Sequence, residues 1–290
     1  MKFNENNLDL QWQKAWDGDW TKIYDDEKVR WFWQFLEAKN EEGGFFSRGD
    51  STRILERHVL DSALFVKAVT DYVSVSRETT VLDAGAGPGL PGFLFCCLKF
   101  PPVVTLNDSS RRRLSFLEAA LHGPATGDNE DGVAASRAGR GPSPRSLEPR
   151  ETTKTSEQQS RNEDIQPITE THFRGQAPRF QYARLEEVVG RFKLITSRAL
   201  IPFPSVLRLV AHLQKPGDYY AAYLGQVDPA THSKVIQECG YEFEASQVIQ
   251  VPGSDGFRGL YLFRKIRTVR QGKPFAWKFI RNEMSEWQKS

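Results

Sequence analysis

The chain has 290 residues and 33.0 kDa, with 39 basic against 37 acidic side chains, 39% hydrophobic residues, 26% charged residues and a mean hydropathy of −0.52. This length allows one large domain or two small ones with a sizeable core, and a net charge of +2 is too small to define a nucleic-acid binder from the total alone. The most apolar run, residues 90–98, already holds Pro91 and Gly92 and falls short of the roughly 18 residues a membrane-spanning helix needs, so no spanning helix is expected. The N-terminus has no basic region followed by an apolar stretch and a small-residue cleavage site, so the expected location is the cytoplasm. Cys96, Cys97 and Cys239 fit neither a disulfide framework nor metal-ligand spacing, so buried thiols and no metal are expected.

In chain order, residues 1–75 read as a helical region. Trp12, Trp16 and Trp20 fall at four-residue steps, and Val29, Phe32, Trp33 and Leu36 form a second helical face. A third helix is expected to start at Asp50 or Ser51 as N-cap and to turn Ile54, Leu55, Val59 and Val66 inward. From Thr80 the pattern becomes strand (TTVLDAG), glycine turn (AGPGLPG), helix (FLFCCLKF) and strand (PVVTLND), the alternation of a parallel sheet with crossover helices. Residues 123–178 are rich in Gly, Pro, Ser, Thr, Glu and Arg and hold too few large apolar residues to offset chain entropy, so they read as a disordered insertion in a core of residues 76–265. The alternation then resumes, and SQVIQV with GLYLFRKI reads as an antiparallel finish before a basic, aromatic tail at 266–290.

The chemistry gathers at strand ends. Asp83 leads into Gly85-Ala86-Gly87-Pro88-Gly89-Leu90-Pro91-Gly92, where glycines let the backbone approach a ligand and the following helix offers N–H groups to an anion. Asp108 ends the next strand, 23 residues beyond Gly85, where a carboxylate accepts the hydroxyls of an adenosine ribose. Residues 87–92 spell G-x-G-x-x-G, so these features alone admit both NAD and S-adenosylmethionine, and Asp108 also suits the N-cap of the helix after it.

Further blocks bear on the choice. Leu55-Glu56-Arg57-His58-Val59-Leu60-Asp61-Ser62, residues 83–92, Thr105-Leu106-Asn107-Asp108-Ser109, Ala183-Arg184-Leu185-Glu186-Glu187, Thr196-Ser197-Arg198-Ala199, and Val251-Pro252 with Asp255-Gly256 follow in one order. With them the chain resembles the ribosomal RNA small subunit methyltransferase G family, also called glucose-inhibited division protein B, over residues 55–265 apart from the insertion. The resemblance implies an α/β, Rossmann-like class I methyltransferase with a seven-stranded, mostly parallel sheet, using S-adenosylmethionine to methylate N7 of a guanine in 16S ribosomal RNA, free or in the small ribosomal subunit. It implies that Gly85 and Leu90 contact the methionine and sulfonium region, Asp108 the ribose, Leu185 and Glu186 the adenine, and Arg198 the cofactor or the target base. A monomer is expected.

Guanine N7 carries no proton, so no general base is expected, and Arg198 is the positioning candidate. His58 and Asp61, three apart on one helix face, read as structural or RNA-facing rather than as an acid–base pair. The chain departs from the family at Gly44-Phe45-Phe46-Ser47, at Leu224-Gly225 in place of Lys-Gly, at Arg258-Gly259 in place of Arg-His, and in the insertion. Two alternatives stand beside the methyltransferase: a non-catalytic RNA-binding relative that keeps the cofactor fold, motivated by Leu224 and Gly259, and a dinucleotide-dependent oxidoreductase, supported only by the G-x-G-x-x-G spelling and Asp108. RNA contacts are expected from Arg111, Arg112 and Arg113 and from the stretch 264–290, which has eight basic residues against Glu283 and Glu286 and interleaved Phe275, Trp277 and Trp287. The bland reading of that stretch packs its aromatics on the domain; the cofactor site is expected to receive nothing from it.

Overall fold

The computed structural model describes residues 12, 13, 15, 16, 18–122, 177–251 and 256–287. Of the expected insertion, residues 123–176 lie outside them, as do Pro252 and Asp255 of the last family block.

Seven strands form one sheet in the order β3-β2-β1-β4-β5-β7-β6. They are β1 Thr80–Ala84, β2 Val103–Asn107, β3 Arg179–Gln181, β4 Leu194–Arg198, β5 Tyr219–Leu224, β6 Tyr241–Val248 and β7 Gly259–Lys265. β1 to β5 run parallel to one another; β7 lies antiparallel to β5, and β6 antiparallel to β7. Side chains alternate between two cores, because successive strand residues point to opposite faces. Val81, Leu194, Ala221 and Leu262 enter one core, and their neighbours Leu82, Ile195, Tyr220, Ala222 and Phe263 the other. Burial on both faces is what a parallel sheet requires.

The N-terminal helices cover the first face. Helix α1, Asp26–Gly43, starts at the N-cap Asp25, whose carboxylate accepts the Lys28 N–H, and stops at Gly44 in the left-handed conformation. Its Val29, Phe32 and Leu36 are fully buried, and the Phe32 ring lies 4.5 Å from that of Phe93, so the region is a layer on the sheet. Trp12, Trp16 and Trp20 are buried in the same core.

A π-helical turn, Leu55–Leu60, leads into α2, Asp61–Tyr72. Ile54, Leu55, Val59 and Val66 face inward as their spacing predicts, but neither Asp50 nor Ser51 caps the helix. The Asp50 carboxylate is instead engaged by Arg57 Nη1 at 2.6 Å and by the Ser47 hydroxyl at 2.8 Å, which holds 47–53 as a turn and delays the helix. Short α3, Gly92–Cys96, follows the glycine turn, and α4, Arg111–His122, follows β2. On the second face lie α5, Val206–Val210, and α6, Ser233–Glu238. All three cysteines are buried and free.

The stretch 266–290 ends in α7, Trp277–Trp287, whose Ile280 is fully buried in the second core. Just before this stretch, the last two residues of β7, both counted among the basic residues of 264–290, are already engaged. Arg264 pairs with Glu242 and Glu244 along the sheet edge. Lys265 is 1% exposed and donates to the carbonyls of Ala211 and Cys239 at 2.9 and 2.6 Å, so it is a core residue and not a phosphate contact. Burial depresses its ammonium to about 8. No described helix is long and apolar enough to cross a membrane.

Candidate active site

β1 pairs with β2 on one side and β4 on the other, so the chain order reverses there, and open α/β sheets bind ligands outside the carboxyl ends of their strands at such a point. The glycine turn after β1 is tied down from below. The N–H groups of Gly85 and Ala86 both donate to the Asn107 carbonyl at 2.9 Å, and Gly85, Gly87 and Gly89 all take positive φ. Asp83, fully enclosed, accepts the Gly92 N–H at 2.8 Å and the Thr196 hydroxyl at 2.9 Å, linking the turn to β4. Burial raises this carboxyl to about 7. These bonds correct one expectation: the N–H at the start of α3 is used by Asp83, and that of Phe93 by the Gly89 carbonyl, so the helix start is not a free anion site.

Two adjoining cavities open above this frame. The first, about 370 Å³, is lined by Asn107, Asp108, Leu185, Glu186, Leu209 and Trp277, and the second, about 330 Å³, by His58, Gly87, Leu90, Asp108, Arg113 and Arg198. Gly85, Asp108 and Leu200 line both. All six residues singled out in the sequence thus surround one double cavity: Leu185 and Glu186 the first part, Leu90 and Arg198 the second, Gly85 and Asp108 the boundary.

Asp108 is a cap as well as a wall. One oxygen accepts the Gly87 N–H at 2.9 Å and the other the Ser110 N–H at 2.8 Å, which leaves each oxygen a further lone pair for a ligand hydroxyl. Asn107 donates its side-chain amide to the Ala183 carbonyl at 3.1 Å, holding the segment that carries Leu185 and Glu186 against the end of β2. The first cavity presents apolar Leu185 and Leu209 beside the acceptors of Asp108 and Glu186, a lining suited to an uncharged heterocycle and the hydroxyls of a ribose. The second presents the guanidiniums of Arg113 and Arg198, suited to a carboxylate. An adenosine bearing an amino-acid side arm, as in S-adenosylmethionine, fits both halves.

Arg198 does not pair with Glu186 or Glu187. It reaches the helix before β1, with Nη1 donating to the Ser62 hydroxyl at 2.7 Å and Nη2 lying 3.2 Å from Asp61 and 3.3 Å from His58 Nδ1. Because a guanidinium only donates, Nδ1 accepts and the His58 proton is assigned to Nε2. The His58 ring stacks on Phe46 with centroids 3.9 Å apart, and burial, then the charge of Arg198, lowers its imidazole to about 4. His58 and Asp61 are therefore not an acid–base pair: both are satellites of Arg198. The departure Phe46 supplies this stack, and Arg258 reaches Asp61. Gly259 stands opposite Leu224 inside the β5–β7 ladder, where a Cβ would lie 3.0 Å from the Gln247 carbonyl oxygen.

Sequence reasoning missed Trp277, Phe46 and Arg113 as wall residues. The triple arginine signalled Arg113, although as an RNA contact; nothing local marks the other two.

A parallel sheet reversing at β1, closed by an antiparallel β7 between β5 and β6, with the glycine turn and an acidic β2 end flanking the cavity, defines a Rossmann-like class I methyltransferase. Among solved structures, the magnesium protoporphyrin IX methyltransferase of Synechocystis PCC 6803 with bound SAM aligns at TM-score 0.44 and 11% identity, over 82% of this chain and 97% of that one. The profile of the rRNA small subunit methyltransferase G family (GidB) matches residues 25–125. The chain is 33% identical over 262 residues to the ribosomal RNA small subunit methyltransferase G of Leptospira biflexa, covering 90% of this chain and 88% of that protein. To that of Leptospira interrogans it is 32% identical over 265 residues, covering 91% and 85%. The chain belongs to the rRNA small subunit methyltransferase G family, which removes the oxidoreductase reading of residues 87–92.

Proposed function

We propose that this protein transfers the methyl group of S-adenosylmethionine to N7 of a guanine in 16S ribosomal RNA, free or within the small subunit, acting in the cytoplasm as a monomer. The observation that carries this reading is the meeting of Gly85, Leu90, Asp108, Leu185, Glu186 and Arg198 around one double cavity at the reversal point of the sheet, in a chain of this family.

When bound, the cofactor supplies an electrophilic methyl group on a sulfonium. In this reading Asp108 accepts the ribose hydroxyls, Leu185 and Glu186 border the adenine, and the glycine turn leaves room beside Gly85 and Leu90 for the methionine arm. The guanine N7 lone pair lies in the ring plane and carries no proton, so the chain's contribution is alignment and exclusion of water. Arg198, fixed by Ser62 and Asp61, is the positioning group facing the second half of the cavity. His58, neutral near pH 7, adds no charge to that face.

Mapping N7-methylguanosine in 16S ribosomal RNA from cells with and without the gene tests the assignment. One modified guanine is expected to vanish on deletion and return on complementation. An unchanged map, with S-adenosylmethionine still bound by the purified protein, favours the non-catalytic relative instead.

A further inference from the structure

We propose that Trp277 is a cofactor-binding residue: the C-terminal helix supplies the aromatic wall of the adenosine half of the site. The inference rests on the cofactor reading above and adds to it a residue from a stretch that its sequence marks as an RNA-facing tail.

Three observations carry it. First, Trp277 lines the cavity bounded by Asn107, Asp108, Leu185 and Glu186, while its own element begins beyond the last strand of the sheet. Second, that element is fixed. Ile280, one turn further along α7, is fully buried, and Glu283 receives Arg208 Nε at 2.9 and 3.0 Å and Nη2 at 2.7 Å. Arg208 is only 3% exposed; its Nη2 also binds Glu238 at 2.7 Å, and its guanidinium lies 5.0 Å from the Phe275 ring and 4.9 Å from that of Phe279. A buried guanidinium paired this way holds the helix against α5 and α6, so the half-buried indole is held at the cavity rather than swinging in solvent. Third, the chemistry of the wall matches the half it borders. Beside Trp277 and the apolar Leu185 and Leu209, the polar groups Asn107, Asp108 and Glu186 suit a nucleoside, and an adenine π-face stacks well on indole.

The test uses the full chain, with S-adenosylhomocysteine and adenosine as separate probes in titration calorimetry. Trp277→Ala is expected to weaken both by the same factor, roughly five- to 150-fold, the worth of one base–aromatic stack. Trp277→Phe, which keeps a ring, is expected to stay within about three-fold of the parent, and Lys278→Ala, exposed on the same helix, to bind as the parent does. Because removing the indole also removes packing, a second measurement uses the conservative variant alone: adenosine should quench part of the parent's tryptophan fluorescence, and Trp277→Phe should lose most of that quench with its melting temperature unchanged. Equal dissociation constants for Trp277→Ala and the parent, or a full quench surviving in Trp277→Phe, overturns the proposal. Failure of the parent to bind S-adenosylhomocysteine at all overturns the cofactor reading, and this inference with it.

Discussion

Asp61 and Arg258, 197 residues apart in the chain, meet at 2.8 Å between Oδ2 and Nη1. The same oxygen lies 3.2 Å from Arg198 Nη2, and the other accepts the Tyr223 hydroxyl, so one enclosed carboxylate joins α2, β4, β5 and the turn before β7. Asp61 is 0% exposed. Asp61→Ala leaves two guanidiniums without their counter-ion and is expected to destabilise the fold by about 3–5 kcal/mol. Arg258→Ala should do less harm, since Arg198 and Tyr223 still engage Asp61 and the Arg258 side chain is 35% exposed. Urea denaturation of both variants measures the difference, and equal losses would contradict a hub centred on Asp61.

Gly92 is where the glycine turn has no room. A Cβ there would stand 2.4 Å from Asp83 Cβ and 2.5 Å from Leu106 Cδ2. Gly92→Ala is therefore expected to cost about 1–3 kcal/mol by overpacking and to weaken S-adenosylhomocysteine binding by shifting the turn. At Gly256 a Cβ meets nothing within 4 Å, so Gly256→Ala should be neutral in both assays.

Two buried groups give stability opposite dependences on pH. The Asp83 carboxyl is raised to about 7, so between the unfolded value of 3.8 and pH 7 the folded chain holds a proton that the unfolded chain lacks, and its contribution is lost as pH rises through 7. The His58 imidazole is lowered to about 4, so between pH 6.5 and 4 the unfolded chain holds the extra proton and stability falls with falling pH. Asp83→Asn, which can still bond Gly92 and Thr196 once the Thr196 hydroxyl turns to accept, should gain stability relative to the parent as pH rises from 4 to 8. His58→Phe should gain relative to the parent as pH falls from 6.5 to 4. Denaturation midpoints across that range supply the test, and a difference from the parent independent of pH in either variant would remove that group from the account.

Asp108→Ala removes the proposed ribose acceptor and the cap on the Gly87 N–H together. Loss of charge-assisted hydrogen bonds worth roughly 1.5–3 kcal/mol corresponds to about a ten- to 150-fold weaker S-adenosylmethionine complex. Calorimetry reads this directly, and wild-type affinity in the variant would move the ribose elsewhere.

Arg111 and Arg112 are exposed at the start of α4, next to Arg113 in the wall of the second cavity, which makes them candidate RNA contacts alongside the exposed cations of 267–281. Arg112→Ala should reduce the slope of log binding constant against log salt by about one phosphate contact while leaving S-adenosylhomocysteine affinity unchanged. A slope identical to the parent's would exclude Arg112 as a phosphate contact.

The sequence alone determined the alternation of strand, glycine turn, helix and strand, because those signals are local: period-two hydrophobic runs, glycines that reach positive φ, and apolar faces at helical spacing. Strand ends pointed to the glycine turn, Asp108 and Arg198, and the resemblance of ordered blocks to the family added Leu90, Leu185 and Glu186. Tertiary structure alone decided who meets whom across the sheet. The burial of Lys265 under Ala211 and Cys239, the turning of Arg198 toward Ser62 and Asp61, and the arrival of Trp277 at the cavity beside Asp108 all depend on contacts between distant segments. A basic, aromatic C-terminal stretch has the same composition whether it lies in solvent or is clamped by Arg208; only the enclosed counter-ion Glu283 and the core position of Ile280, both set by packing against α5 and α6, bring it to the cavity wall.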